Sequence, residues 1–229
     1  VTSKNINSIS FVASTNTWNA YNSYPGKSFY KDNETSNEVK EFNEVLNSLL
    51  KYNNAPKLPV HIPFGRPYME PAVLDERPDV PHYSHLLRGE WSLLAFAEEH
   101  NLKYGVYTDR EVHINSPLFD SDVVVFNCHN EYWTKDMVEA LKAYILKGGK
   151  VIFASGNNIY GQVQYNEFGI ELLEMNNVEN ISPIIGSFFS QVSSPMFASY
   201  KVKNMNHWIF EGTNIKNGEE FAKTTLNHR

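Results

Sequence analysis

Two clusters of polar residues that could do acid–base chemistry follow two strands predicted to be neighbours. Residues 129–133, His-Asn-Glu-Tyr-Trp, come after the apolar run 123–126, and residues 155–158, Ser-Gly-Asn-Asn, come after the run 151–154. A histidine in the first cluster can act as a general base, and an asparagine in the second can donate to a developing oxyanion. Ligands bind beyond the carboxyl ends of the strands in open parallel sheets. The sequence therefore predicts a functional site at this edge.

The residues between the two clusters have the pattern of a crossover helix. Thr134 is a suitable N-cap, and Asp136 lies in the first turn, where the helix dipole favours a negative charge. A glycine pair at 148–149 is a stop signal. Apolar side chains recur at three- and four-residue steps and so share one face: Met137, Leu141, Tyr144 and Ile145. A strand, a helix and a strand in this order predict a right-handed parallel crossover, hence an α/β fold with a doubly wound, mostly parallel sheet.

The amino-terminal segment predicts a strand followed by a buried loop. Residues 9–13 form a short apolar run typical of a strand. Residues 14–22 are rich in Ser, Thr and Asn, which indicates a loop or turn. Two aromatic residues of the kind that is usually buried, Trp18 and Tyr21, suggest that this loop folds into the interior.

The same rules assign the other elements up to the crossover. Apolar residues at helical spacing predict an amphipathic helix over 36–52 and a second helix from an N-cap at Ser84 to about residue 100. Prolines push the extended segment 58–64 to a sheet edge. Residues 104–107 are predicted to form a strand. Residues 108–110 are predicted to form a turn in which Asp109 and Arg110 form a structural ion pair. Together these elements predict one α/β domain over residues 1–229.

Composition excludes several classes of protein. A net charge of −6 without a basic run argues against a nucleic-acid partner. One cysteine excludes an internal disulfide framework, and no apolar stretch approaches the roughly 18 residues needed to span a bilayer. No signal peptide is visible, so we expect a cytoplasmic protein. The ending Thr-Leu-Asn-His-Arg has no obvious stop, which suggests a piece of a longer chain.

Seven short motifs occur in one order along the chain and carry a family resemblance. They are Ser-Thr-Asn-Thr-Trp-Asn-Ala-Tyr-Asn (14–22), Gly-Arg-Pro-Tyr (65–68), Thr-Asp-Arg-Glu-Val-His (108–113), His-x-Glu-Tyr-Trp (129–133), Gly-Gly (148–149), Ser-Gly-Asn (155–157) and His-Trp-x-Phe-x-Gly-Thr (207–213). Together they resemble the catalytic domain of the large subunit of N,N-dimethylformamidase. The resemblance implies a sheet topology like that of class I glutamine amidotransferases and hydrolysis of the C–N bond of small amides at a mononuclear iron. It also implies a homo-oligomer or an additional subunit.

The resemblance also implies roles for individual residues. Tyr21, Tyr68 and Glu131 correspond to the metal ligands, and His129 and Asn157 to groups that orient water or substrate. Three anionic oxygen ligands suit Fe(III), a hard ion, better than Zn(II). Such an ion would polarise the amide carbonyl and lower the pKa of bound water from about 15.7 toward about 7. A further acidic residue that the family places beyond the His-Trp segment has no clear counterpart in this sequence.

Each of these residues also has a purely structural explanation. Glu131 could cap the helix that follows it, and His129 could be a buried structural histidine. Tyr21 could be a packing residue with a satisfied hydroxyl, and Tyr68 an aromatic residue after a proline turn. Asn157 could be a turn residue with a backbone hydrogen bond.

Two other functions compete with an iron-dependent amidase. Cys128 follows a strand and precedes His129, so a cysteine-dependent hydrolase of the amidotransferase type is one alternative. No Gly-x-Cys-x-Gly elbow surrounds this cysteine, however. The other alternative is a non-catalytic domain of the same fold that binds a small molecule or a saccharide through exposed aromatic residues.

Overall fold

The computed structural model describes residues 9–22, 29, 61–66, 86–114, 117–175, 181–186 and 199–221. The chain divides into two compact units, the first made of residues 1–73 and 84–189 and the second of residues 74–83 and 190–229. The helix predicted over 36–52 lies outside the described residues. None of the described helices is long and apolar enough to cross a lipid bilayer.

Strands and helices alternate along the first unit. In chain order the elements are β1 (Ile9–Ala13), α1 (Thr15–Tyr21), β2 (His61–Pro63), α2 (Leu87–Glu99), β3 (Tyr104–Thr108), α3 (Asp109–His113), β4 (Val123–His129), β5 (Tyr132–Trp133), α4 (Lys135–Leu146), β6 (Lys150–Gly156), β7 (Gly161–Tyr165), β8 (Gly169–Met175) and α5 (Ser182–Ile185). A 3-10 helix over Pro117–Asp120 precedes β4. In the second unit, β9 (Tyr200–Lys201) pairs antiparallel with β10 (Glu220–Phe221), and a 3-10 helix over Trp208–Phe210 lies between them in the chain.

The centre of the first unit is a parallel sheet of four strands in the order β3-β1-β4-β6. Alternate side chains of its strands point to opposite faces. On one face, Phe11 and Val125 pack with Ala97 of α2. On the other face, Phe126 packs with Met137 of α4 in a separate buried cluster. The structure therefore confirms the α/β class and the four predicted strands of this sheet.

The predicted crossover from β4 through α4 to β6 is also confirmed. The Thr134 hydroxyl accepts the backbone N–H of Met137 at 3.2 Å and so caps the start of α4. After α4 ends at Leu146, Gly148 has a φ of 89°, a left-handed conformation that glycine adopts without steric cost. The glycine pair therefore ends the helix and returns the chain to the sheet.

A second sheet has the order β2-β8-β7-β5. β8 pairs antiparallel with both β2 and β7, whereas β5 runs parallel to β7. The described part of the segment predicted as an edge strand, His61–Pro63, lies at the end of this sheet. The sheet is small, but it connects the residues after β6 back to the segment that follows β4.

The prediction of a loop over residues 14–22 is wrong, because Thr15–Tyr21 forms the helix α1. Asparagine and threonine are weak helix formers, so propensity alone does not favour a helix here. Instead, groups elsewhere in the chain satisfy its first amides. The backbone N–H of Asn16 donates to Asp109 Oδ2 at 2.7 Å, and that of Ser14 donates to Glu90 Oε1 at 3.3 Å. The prediction that this segment folds into the interior holds for Asn16, Thr17 and Ala20, whereas Trp18 and Tyr21, the aromatic residues on which it rested, are half-buried.

Two further boundaries differ from the predictions. Helix α2 begins at Leu87, and its N-cap position is Leu86 rather than Ser84. The turn predicted over 108–110 is the start of α3, because Glu111 Oε2 accepts the backbone N–H of Thr108 at 2.8 Å in a capping box. The predicted acid–base pair does not form among the described residues: Asp109 binds the N–H of Asn16, as above, and the Arg110 guanidinium lies 5.7 Å from the Phe64 ring centroid.

We expect Gly169→Ala to destabilise the first unit by about 3 kcal/mol. A β-carbon at this position would lie 2.0 Å from the carbonyl oxygen of Ile62, so β2 and β8 could not keep their pairing. The measurement is urea unfolding followed by far-ultraviolet circular dichroism. Glu174→Ala, on the exposed part of the same strand, is the control and should change the free energy of unfolding little. An equal effect of both substitutions would contradict the packing argument.

Candidate active site

Four of the five side chains named from the sequence meet at one buried carboxylate. The side chain of Glu131 is fully buried, and its Oε1 accepts hydrogen bonds from the Tyr21 hydroxyl at 2.8 Å and from Asn157 Nδ2 at 2.7 Å. The Nδ1 of His129 lies 3.0 Å from the same oxygen. The fifth residue, Tyr68, lies outside the described residues.

The parallel pairing of β4 and β6 accounts for half of this arrangement. His129, the last residue of β4, is paired with Gly156, the last residue of β6, so Asn157 begins the next turn at the same edge. Cys128 and Asn157 both have positive φ values, 61° and 51°. Residues with a β-carbon adopt this conformation at a cost of about 1–3 kcal/mol, and such positions cluster at functional sites.

Helix α1 supplies the Tyr21 side chain, and hydrogen bonds attach this helix to the segment that contains Glu131. The backbone N–H of Glu131 donates to Thr17 Oγ1 at 3.0 Å, and Asn16 Nδ2 donates to the carbonyl of Tyr132 at 3.0 Å. The carbonyl of Glu131 in turn accepts the N–H of Gly161 at 2.8 Å. Because Tyr21 is the last residue of α1, these bonds set the distance between its hydroxyl and the carboxylate.

The geometry removes one structural explanation for Glu131. The cap of α4 is Thr134, as described above, and the carboxylate of Glu131 is directed to Tyr21, His129 and Asn157 instead. A glutamate that served only as a helix cap would bond to backbone amides at the start of that helix. The catalytic and metal-binding roles of these four residues stay predictions.

The donor set fits a hard metal ion. The Tyr21 and Glu131 oxygens lie 2.8 Å apart, which is close to the separation of two neighbouring ligands about 2.0 Å from one octahedral ion. Phenolate and carboxylate oxygens are ligands that Fe(III) favours. Among the described residues no group of three or more His, Cys, Asp or Glu side chains could hold a metal.

Two buried carboxyl groups at the start of α1 were missed by sequence reasoning. Glu90 is 7% exposed, and its Oε1 accepts the indole N–H of Trp18 at 2.9 Å as well as the N–H of Ser14. Burial raises the pKa of Glu90 to about 7, although these two hydrogen bonds oppose the shift. Burial also raises the pKa of Asp109 well above its usual value, and the charge of Glu90 adds to that effect.

No sequence signal pointed to this pair of acids. Their role depends on α1 being a helix, which its composition did not predict. Within the described part of the chain, Asp109 Oδ1 is buried and accepts no hydrogen bond. A protonated carboxyl group at Asp109 is consistent with this environment, because burial disfavours the charged form.

Cys128 has the position of a nucleophile but not its electrostatics. Burial raises the pKa of its thiol to about 12, and the charge of Glu90 contributes in the same direction. Reactive cysteines are found where cations or helix N-termini lower this pKa. The environment of Cys128 therefore favours the unreactive thiol.

Comparison with known proteins identifies one family. The family model described as "N,N-dimethylformamidase beta subunit-like, C-terminal" matches residues 2–180. No curated protein matches the chain. The matched stretch contains all five residues named above, whereas the His-Trp motif at 207–213 lies beyond it.

We expect Glu90→Gln to change how stability depends on pH. The pKa of Glu90 is higher in the folded protein than the usual 4.5, so its stabilising contribution is complete below about pH 4.5 and is lost as pH rises through about 7. Glutamine keeps the oxygen that accepts the Trp18 and Ser14 bonds but carries no charge. Relative to the wild type, the variant should gain on the order of 2 kcal/mol of unfolding free energy between about pH 5 and pH 8.

This change is measured by urea unfolding at both pH values, followed by tryptophan fluorescence. Glu99→Gln, an exposed position on the same helix, is the matched control and should track the wild type. A Glu90→Gln curve parallel to the wild type across this range would show that the carboxyl group is not held in its neutral form.

Proposed function

Because the chain belongs to the N,N-dimethylformamidase beta subunit-like, C-terminal family, we propose that it is an iron-dependent hydrolase that cleaves the C–N bond of a small linear amide. The observation that carries the proposal is the meeting of Tyr21, His129 and Asn157 at one oxygen of the buried Glu131. A phenol, an imidazole and an amide around a buried carboxylate combine metal ligands with groups for proton transfer. The family name supports a hydrolase, and the donor set supports Fe(III) as its metal.

In this proposal, Tyr21 and Glu131 hold the ion together with Tyr68. When bound, the ion supplies Lewis acidity toward the amide carbonyl and toward a water molecule. Burial of Glu131 excludes water from the ligand side and strengthens its electrostatic interaction with a cation. The bonds from Thr17 and Asn16 keep the Glu131 segment at a constant distance from Tyr21.

His129 and Asn157 move the proton and stabilise the developing charge. Since Nδ1 of His129 is directed at Glu131, we assign proton transfer to Nε2, which takes a proton from water and returns it to the leaving amine. Asn157 uses one N–H toward Glu131, and we assign its second N–H to the oxyanion. Loss of one such donor typically costs about 100-fold in rate.

The sheet supports the finer assignment of topology. Its order, β3-β1-β4-β6, is the order of doubly wound sheets of the flavodoxin type, with helices on both faces. We propose that it corresponds to the class I glutamine amidotransferase-like topology implied by the sequence resemblance. The words "beta subunit-like" in the family description also support a further subunit or a homo-oligomer.

We expect purified protein to contain about one iron per chain and Glu131→Gln to contain almost none. Glutamine has nearly the shape of glutamate but lacks the anionic oxygen that a trivalent ion requires. Tyr21→Phe should remove a phenolate ligand and therefore reduce visible tyrosinate-to-iron charge-transfer absorption as well as bound iron. Elemental analysis and the absorption spectrum measure both effects independently of turnover.

Matched substitutions at exposed positions are the controls for these variants. Glu139→Gln on α4 and Tyr200→Phe on β9 should leave the iron content unchanged. Full iron content in Glu131→Gln, in a variant with a wild-type circular dichroism spectrum, would refute the metal assignment. Iron that binds without turnover of any small amide would leave the non-catalytic domain as the better description.

We expect Cys128→Ser to retain amide hydrolysis within about threefold of the wild type, because the environment of this thiol disfavours the thiolate. Turnover of formamides and linear amides before and after iron chelation is the measurement. Activity that survives chelation and disappears in Cys128→Ser would instead establish the cysteine-dependent hydrolase.

A further inference from the structure

A small pocket lies between α2 and one face of the parallel sheet, and none of the residues proposed to bind metal lines it. Its volume is about 90 Å³. The indole rings of Trp18 and Trp91 contribute to its wall, and aliphatic side chains such as Leu94 and Val125 contribute most of the remainder. The polar side chains of the lining are those of Glu90 and Asn127.

The carboxyl group of Glu90 has one oxygen to offer to a ligand. Both of its described hydrogen bonds, from Trp18 and from Ser14, end on Oε1. No described residue donates to Oε2. The bond from Trp18, which also lines the pocket, restrains the carboxyl group. A nearly buried acid beside an apolar cavity is costly unless a partner neutralises it.

The size and chemistry of the pocket restrict its occupant. A cavity of about 150 Å³ holds benzene, with six heavy atoms, so this pocket has room for about three or four. Among the described residues of its lining there is no Lys, Arg or His, and the acid of Glu90 calls for a positive charge. Tryptophan faces attract alkylammonium ions, and the aliphatic walls suit methyl groups rather than an inorganic ion.

We propose that this pocket binds a small alkylammonium ion of the size of dimethylammonium or trimethylammonium, with Glu90 as its counter-ion. The N–H of the ion donates to Oε2, and its methyl groups contact Trp18, Trp91 and the aliphatic wall. This inference rests on the pocket alone and does not require the proposed hydrolysis. Amines are, however, the class of product that C–N cleavage of an amide releases.

Binding of the alkylammonium ion to Glu90 should be coupled to the release of a proton. The raised pKa of Glu90 means that part of the population carries a proton near neutral pH, and the ion must displace it. Binding therefore releases a proton to the buffer below about pH 7, and affinity rises as pH increases through that value. The other titratable groups coupled to Glu90 are Asp109 and Cys128, whose pKa values are also raised.

The test is a titration of the purified full chain with trimethylammonium chloride, followed by tryptophan fluorescence and calorimetry, with sodium chloride matched for ionic strength. We expect saturable binding that Glu90→Gln weakens about tenfold or more and that Glu99→Gln leaves unchanged. 2-Propanol, a neutral compound with the same number of heavy atoms as trimethylammonium, should bind at least tenfold more weakly than the ion. Affinity for the ion should also rise from about pH 6 to pH 8 in the wild type.

Equal binding of 2-propanol and the ion would assign the pocket to neutral ligands and overturn the proposal. Absence of saturable binding to the wild type would overturn it as well. If Glu90→Gln does not fold, the pH series and proton release measured calorimetrically in two buffers decide the question on the wild type. The titration is repeated on the Glu131→Gln variant, which is expected to lack iron. Failure of the alkylammonium proposal would then leave the iron proposal standing, and failure of the iron proposal would leave the alkylammonium proposal standing.

Discussion

Burial of the Glu131 carboxylate is the constraint on which the arrangement of the first unit depends. A carboxyl group with no exposure to solvent needs hydrogen-bonding partners or a cation around it, because burial of a polar group without them is costly. The chain satisfies Oε1 from three directions: the end of α1, the end of β4 and the turn after β6. Each of these elements is therefore held in place by its contact with this carboxyl group as well as by its own packing.

The elements of the parallel sheet could be predicted because local sequence and final environment agree there. The runs around Val125 and Ile152 are β-branched and apolar, the intervening helix has a capping threonine, and a glycine ends it. A segment can be predicted from sequence when its local propensity agrees with its environment in the folded protein. The edge at which His129 and Asn157 lie followed from this topology by the rule for parallel sheets.

Helix α1 could not be predicted, because its stability comes from residues far away in sequence. Asp109 and Glu90 accept amide protons at its start, and Tyr165 donates its hydroxyl hydrogen to Asn16 Oδ1 at 3.0 Å. A seven-residue segment in which four residues are Asn or Thr has too little helical propensity on its own. The resemblance to a known family placed Tyr21 at the site where local patterns indicated only a buried loop. The same lack of a local signal hid the two acids themselves.

The sequence separation of the site residues has a kinetic consequence. The Tyr21–Glu131 bond joins residues 110 positions apart, and the Asn16–Tyr165 bond spans 149 positions. Contacts of such high order close large loops, so they form late and their formation is slow. A nascent chain cannot present this set of oxygens until the ribosome has released most of the first unit. If the proposed iron site is correct, a cation supplied earlier would encounter only scattered ligands, and iron would be loaded after folding rather than before it.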